Sequence, residues 1–430
     1  MRMRESCKPI LFLLVVAMFT LLLGACSNAS ESSDGTETKD EVNHAEHEID
    51  ISSQVKEGNM NEEFAKIPTD YNPNASENLV TPNTKNSTRI PTSNPVDASI
   101  YVSQTIWPAT HKESQPNAVI LASVDNWQAA LAGADLIHHP NNGPVLFIHK
   151  DAISVQVLNE IKRLNPLGNE HGVQVMILGD VSQNVLDELS SYKIEQVKGE
   201  NPAQFARNVD KLYAAVSGSF PDSVIIVSSE EKNKLYSIPA VNWIAHMPEP
   251  ILFVTENELP EETKDALRER KDKANIYILG PEAVISKEVE KQLGEYGNVK
   301  RIAGHDPVTT SIEFAKFKDE ETKFGWGLTE PGHGISFIST ETPKLALAAA
   351  PFSHLGKHAP MVWMKNGEMQ KETYDFLAAI KPTFKEDPTI GPYNHSFIIG
   401  DTDSISFKTQ GIIDEKLEIV QEDGKGHDGH

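Results

Sequence analysis

Cysteine is nearly absent from this 430-residue chain: the two present, Cys7 and Cys26, both fall in the first 26 residues. No disulfide framework and no cysteine-based metal site is therefore available to the rest of the sequence. Positive charge is scarce as well, with 39 Lys and Arg against 62 Asp and Glu and a formal net charge of −23. That balance excludes a nucleic-acid partner, whose phosphates demand a basic surface. It also rules out attraction to an acidic polymer by bulk charge alone. Signatures of catalysis are missing too. There is no Gly-x-Gly-x-x-Gly after a strand, no Gly-Lys-Ser/Thr loop and no Gly-x-Ser-x-Gly elbow. Pro331-Gly-His-Gly334 is rich in glycine but precedes a strand, the wrong place to cradle a phosphate. His138-His139 lies ahead of Pro140-Asn-Asn-Gly143, and adjacent histidines in a loop point apart, so a solvated loop is expected there rather than a metal site. The expectation is a protein that is not an enzyme and uses no cofactor and no metal.

What is present begins with a targeting segment. Arg2, Arg4 and Lys8 precede an almost unbroken apolar run from Ile10 to Leu23. At ~14 residues that run is short of the ~20 a helix needs to cross a bilayer. It ends in Leu23-Gly24-Ala25-Cys26, which resembles a bacterial lipobox, where small residues fit a peptidase groove and the cysteine thiol receives diacylglycerol. On that reading residues 1–25 are a lipoprotein signal peptide, and acylated Cys26 anchors the protein to the outer face of the membrane. The alternative is an ordinary signal peptide in which Cys26 is incidental. Ser27 to Ala65 carries eleven acids and two lysines with almost no aromatics. Such a chain buries too little apolar surface to offset its ordering entropy, so residues 26–87 are expected to be a disordered acidic tether. Residues 422–430 are expected to be a disordered His- and Gly-rich tail. His44, His47, His427 and His430 are read as polar-tail residues, since neither tract supplies a third rigid ligand.

Between tether and tail one pattern is written three times. Val299-Lys-Arg-Ile-Ala-Gly304 reads as a strand and turn leading into a helix after Pro307, and weaker copies place their prolines at 202 and 95. An interval of roughly 105 residues marks tandem domains, because solenoid units run at ~20–50 residues. Each copy continues into an apolar strand: Ala118–Ala122, Ser223–Val227 and Gly334–Ile338. A second strand follows proline at 144, 250 and 360, and a third closes on Gly179, Gly280 and Gly400. A lysine-bearing strand is expected last: Lys193–Val197, Val299–Ile302 and Lys416–Val420. Short, continuously apolar strands are buried on both faces, as in parallel sheets covered by helices. The fold class is α/β, read as three tandem Rossmann-like or Toprim-like domains over 88–195, 196–298 and 299–421.

The combination of Arg301-Ile-Ala-Gly304, Asp306, Thr310, the Pro-Ile-Leu-Phe and Ile-Leu-Gly strands, and Leu121-Ala-Ser-Val-Asp-Asn-Trp127 resembles the cell wall-binding repeat 2 family of Gram-positive surface proteins. The resemblance covers roughly Thr88 to Gln421. It implies three copies in a pseudo-threefold arrangement, held non-covalently on a cell wall polymer. This sequence departs from the family where an arginine follows the aspartate: Pro95, Pro202 and Pro307 stand there. The leading arginine is kept as Arg89 and Arg301 but is Gln196 in the middle copy.

Two classes of function follow. One is a membrane-anchored, wall-associated lipoprotein that binds or scaffolds the envelope, with anionic polymer or peptidoglycan as partner. The other is a solute-binding lipoprotein of an importer, which would show two lobes rather than three copies. In open parallel sheets, ligands bind beyond the carboxyl ends of the strands. The candidate ligand contacts there are Ser123, Asp125, Ser228, Ser229, Ser339 and Thr340, with Gly179, Gly280 and Gly400 beside them. Arg89 and Arg301 either add charge to this rim or pair structurally with a neighbouring carboxylate.

Overall fold

Alternation along each strand decides how the sheets are covered. In Val119–Ser123, Ile120 and Ala122 face one apolar cluster while Val119 and Leu121 face another, and all four are fully buried. A strand buried on both faces needs helices on both sides, and that is the architecture found in the computed structural model, which describes residues 60–422.

The first strand among the described residues is β1 (Ser87–Ile90). Then come β2 (Val119–Ser123), β3 (Val145–Ile148), β4 (Val175–Leu178) and β5 (Ile194–Val197). These four form a parallel sheet in the order β3-β2-β4-β5. Next are β6 (Ser223–Ser228), β7 (Ile251–Val254), β8 (Ala274–Leu279) and β9 (Gly297–Ile302), again parallel and ordered β7-β6-β8-β9. The third stretch supplies β10 (Gly334–Ser339), β11 (Met361–Met364), β12 (Thr383–Phe384), β13 (His395–Ile399) and β14 (Val420–Gln421). Its four-stranded sheet runs β11-β10-β13-β1, so the strand order recurs but the fourth place is taken by the first strand of the chain. Pro144, Pro250 and Pro360 each directly precede an edge strand, β3, β7 or β11.

This closure corrects one expectation. Lys416–Val420 is not the fourth strand of the third sheet: residues Phe407–Leu417 are helical, and Val420 and Gln421 pair instead with β12. The helix is started by Ser406, whose hydroxyl accepts from the Thr409 amide, and is held by Ile413 and Leu417 at helical spacing in the core. The sheet edge is already occupied by β1, with Arg89 beside Ile398.

A helix leads into each central strand: Pro95–Ile106, Pro202–Ser217 and Pro307–Lys316. Each has proline in its first turn, where no N–H is lost, behind a capping side chain. Asn94 Oδ1 accepts from Val96 N at 2.9 Å, Asn201 Oδ1 from Gln204 N at 2.9 Å, and Asp306 Oδ1 from Thr309 N at 2.8 Å. The three Asx-Pro pairs are thus helix starts, and Pro95, Pro202 and Pro307 serve this purpose.

Short helices follow β2, β6 and β10, namely Trp127–Gly133, Ala240–Ile244 and Lys344–Ala349, the first and last of them rich in small residues. They pack against one another, and one apolar cluster runs continuously through residues of all three sheets. A Cβ on Gly133 would lie 2.2 Å from Leu178 Cδ1, so a larger residue here would force the Leu178 side chain to move. Polar links cross between the sheets as well: Trp363 Nε1 donates to Leu235 O at 2.8 Å and Asn242 Nδ2 to Ala359 O at 3.1 Å.

Parts of residues 64–86, grouped with the tether by composition, touch the folded body, although residues 66–81 stay exposed. Lys408 Nζ sits 5.4 Å over the Tyr71 ring and Lys381 Nζ 5.9 Å over Phe64. Gln410 Nε2 donates to Pro82 O at 3.0 Å. Phe64 and Tyr71 supply docking surface that the preceding acidic residues lack. His138 likewise departs from the solvated loop expected of it: it is half-buried and packs against His354, with ring centroids 4.3 Å apart and planes tilted by 46°. Cys26, the rest of the tether and the tail from 423 lie outside the described residues.

Candidate functional site at the carboxyl rim of the first sheet

The third strand of each sheet ends on a glycine with positive φ: +86° at Gly179, +118° at Gly280 and +140° at Gly400. Any other residue would be strained there. The adjacent edge strand sends a side chain to each of these turns. Arg301 Nη1 donates to Gly280 O at 2.8 Å, Arg89 Nη1 to Gly400 O at 2.8 Å, and Gln196 Nε2 to Gly179 O at 2.7 Å. The glutamine thus does the arginine's work with a shorter reach.

The two arginines have little left to offer a ligand. Arg89 is 4% exposed and donates further to Asp401 O, Ile405 O and Gln410 Oε1. Burial lowers its pKa to about 10, against the pull of Asp401, so it stays charged at neutral pH. Arg301 adds Ile285 O at 2.9 Å and an ion pair with Glu290 Oε2 at 2.7 Å.

The rims of the second and third sheets are filled by their own side chains. Ser228 is fully buried, its hydroxyl accepting from Glu230 N and Asn233 Nδ2, while Ser229 Oγ donates to Val254 O. Ser339 is fully buried and accepts from Glu341 N; Thr340 Oγ1 accepts from Asn366 N. A Cβ on Gly280 would meet Val284 Cγ1 at 3.2 Å, and one on Gly400 would meet Ser404 Cβ at 3.0 Å.

The first rim is open. Over Gly179 the nearest atom to an added Cβ is Asn126 Nδ2, at 3.9 Å. A cleft of about 530 Å³ lies here, bordered by Ser123, Asp125 and Gly179 together with Lys150, Asp180 and Glu200. Leu178, Ala129 and Phe205 underlie it, each almost fully buried, and Asn201 at the start of the Pro202–Ser217 helix closes one side. Of the eleven candidate ligand contacts, the fold brings Ser123, Asp125 and Gly179 together; the other eight belong to the filled rims. Sequence reasoning missed Lys150, Asp180 and Glu200, although one signal was readable. The turn from Gly179 to Ser182, which precedes the next helix, is three residues shorter than Gly280–Ser286 and Gly400–Ser406. Val284 and Ser404 belong to the longer turns.

Among the described residues no group of three or more His, Cys, Asp or Glu is arranged to hold a metal ion, and no helix is long and apolar enough to cross a membrane.

Residues 196–290, covering β6 to β8, match the family described as Cell wall binding domain 2 (CWB2). The match falls on the middle of the three sheets and is to the same family that the sequence resembles. The Amidase enhancer of Bacillus subtilis (strain 168) is 26% identical over 193 residues, 44% of this chain and 24% of that protein. Among solved structures, Cwp8 from Clostridium difficile superposes with a TM-score of 0.61 at 20% identity, over 77% of this chain and 52% of that one. Cwp6 from the same organism gives 0.59 at 14% identity, over 76% and 48%. The chain spans about a quarter of the length of the curated relative and about half of each solved one. At such identities the structural likeness establishes the parallel α/β fold. The family match supports cell wall binding and association with the cell surface.

Proposed function

We propose that this protein is a non-catalytic lipoprotein, anchored on the outer face of the membrane through acylated Cys26, that binds the cell wall through three consecutive α/β units. The units are residues 88–195, 196–298 and 299–421 in a pseudo-threefold arrangement, the last completed by β1. The observation that carries this reading is the wall-binding match at 196–290, falling on one of three sheets with the same strand order. Weak contacts in linked copies add by raising effective concentration, so retention on a wall does not demand a strong single site.

Two measurements test it. The protein lacking residues 1–59 is expected to cosediment with purified cell walls and to stay soluble without them; a protein that remains in the supernatant at every salt concentration is not a wall binder. Separately, Cys26→Ala is expected to release the protein to the medium or leave it unprocessed. Recovery of that variant in the membrane fraction, fully processed, would defeat the lipid anchor.

A further inference from the structure

Exposed apolar side chains are unevenly spread over this protein. Among the described residues ten large ones are exposed, and four of them, Ile67, Tyr71, Leu79 and Val80, fall within the segment that precedes β1. Ile67 is 56% exposed, Tyr71 and Leu79 are 43% exposed each, and Val80 is fully exposed. Such residues are ordinary when scattered singly, and mark a contact when they gather. Here they adjoin further apolar surface. Pro68, Tyr71 and Ala75 border an open groove of about 300 Å³, whose other side is Phe407, Gly411 and Ile412 on the helix Phe407–Leu417. Phe407 and Ile412 are partly exposed, and a Cβ on Gly411 would meet nothing within 4 Å. Residues 66–82 are also close to neutral, with Lys66 against Asp70 and Glu77, in a chain of net charge −23.

We infer that this surface rests on a lipid bilayer, as an interfacial contact additional to any acyl chain. Its polar edges fit such a boundary: Tyr71 Oη lies 3.3 Å from Ser76 Oγ, and Lys408 Nζ sits 5.4 Å over the Tyr71 ring. Tyrosine and lysine placed in this way keep an apolar body below the headgroups and a polar tip among them. Between residues 66 and 81 the only regular element is the short turn of helix Pro73–Ser76, so there is no strand edge for a protein partner to extend. A bilayer needs none. Irregular backbone is not tolerated in the hydrocarbon, so side chains alone enter and the segment stays at the headgroup boundary. For the nearness of a membrane the inference rests on the lipid-anchor reading. Residues 27–59 separate Cys26 from this segment, and 33 residues reach at most about 110 Å. A contact too weak to hold a free protein is then occupied, because linkage keeps its effective concentration on the order of millimolar.

The test uses the protein without residues 1–26, which keeps every described residue and has no acylated cysteine. It is mixed with vesicles of phosphatidylglycerol and phosphatidylethanolamine and floated on a density gradient. Part of the protein is expected to float at roughly millimolar lipid. The floated fraction should hold or rise between ~0.05 and ~0.5 M salt, since the contact is apolar and the acidic body is repelled by anionic lipid. Leu79→Ser, Val80→Ser changes only exposed side chains and should lower the partition at least tenfold, about the worth of one aliphatic side chain. Absence of flotation, equal flotation of the double variant, or loss of flotation in high salt each overturns the proposal. So does a dimer in light scattering that the double variant abolishes, which would assign the surface to a second copy. Flotation by a protein whose Cys26 proves unacylated in cells would remove the lipid-anchor reading and leave this contact standing. An acylated Cys26 without flotation would do the reverse.

Discussion

Replacing Arg89 by methionine is expected to lower the unfolding free energy by about 3–5 kcal/mol, as removal of one partner from a buried charged network does. The loss comes from what is left behind. Gly400 O, Asp401 O and Ile405 O each accept from this guanidinium at 2.8–2.9 Å, and Gln410 Oε1 accepts from its Nε at 2.6 Å. Methionine fills the volume of the stem but supplies none of these donors. The effect is also topological, because β1 carries Arg89 into a sheet whose other strands lie more than 200 residues later in the chain. Arg301→Met should cost less, about 1–3 kcal/mol, since its partner Glu290 is one-third exposed and can turn to water. Urea unfolding of the three proteins decides this, and equal midpoints for wild type and Arg89→Met would show that the network is not holding the sheet. An Arg89→Met protein of unchanged stability that no longer cosediments with walls would return this arginine to ligand contact.

The sequence announced most of what builds the sheets. Proline before β3, β7 and β11, the glycines that end β4, β8 and β13, and the Asx-Pro helix starts are local signals, and local signals can be read in one pass. The destination of β1 could not be read in this way. Its phrase was recognised as a copy of those around Gln196 and Arg301, yet it pairs with β13, and nothing near Arg89 in sequence names that partner. Gln196 and Arg301 each close the sheet that precedes them in the chain; among the described residues no sheet precedes β1, which closes the last one instead. The helical fate of Lys416 follows from the same cause, since an edge already occupied leaves no place for a further strand. The cleft was half legible. Ser123, Asp125 and Gly179 were named from strand ends, but whether a rim is open depends on what a turn three residues longer would have filled.

Acid should loosen the junction where the helices Trp127–Gly133, Ala240–Ile244 and Lys344–Ala349 meet, and the histidines there set the range. His138, His246 and His354 follow these helices at evenly spaced positions. His354 lies 4.3 Å from His138 and 6.4 Å from His246 by ring centroids, and His246 meets His358 at 4.4 Å, with Nδ1 of His358 3.2 Å from Nε2 of His246. Trp326 stacks on His246, Asn142 Oδ1 faces His354 at 3.4 Å, His139 flanks His138, and His333 lies near His358. No carboxylate makes an ion pair with His138, His246 or His354 among the described residues. Burial, then the neighbouring imidazoles, lowers His246 and His354 to about 4 from 6.5. The unfolded chain therefore takes up protons first, and the stability these residues contribute is complete above pH 6.5 and is lost as pH falls toward 4. Both rings are partly exposed and titrate as a coupled group, so the loss from pH 7 to 5 is about 2 kcal/mol, roughly half the unscreened value. Asp135 works in the opposite sense: fully buried without a hydrogen-bond partner, it is pushed well above the carboxylate range and is relieved by protonation. A His246→Phe, His354→Phe protein isolates the histidine contribution, since it keeps the stacking and removes the titration. Its unfolding free energy should fall by about 2 kcal/mol less than that of wild type between pH 7 and 5. Parallel pH profiles for the two proteins would mean that the cluster takes up its protons equally in both states and does not govern the junction.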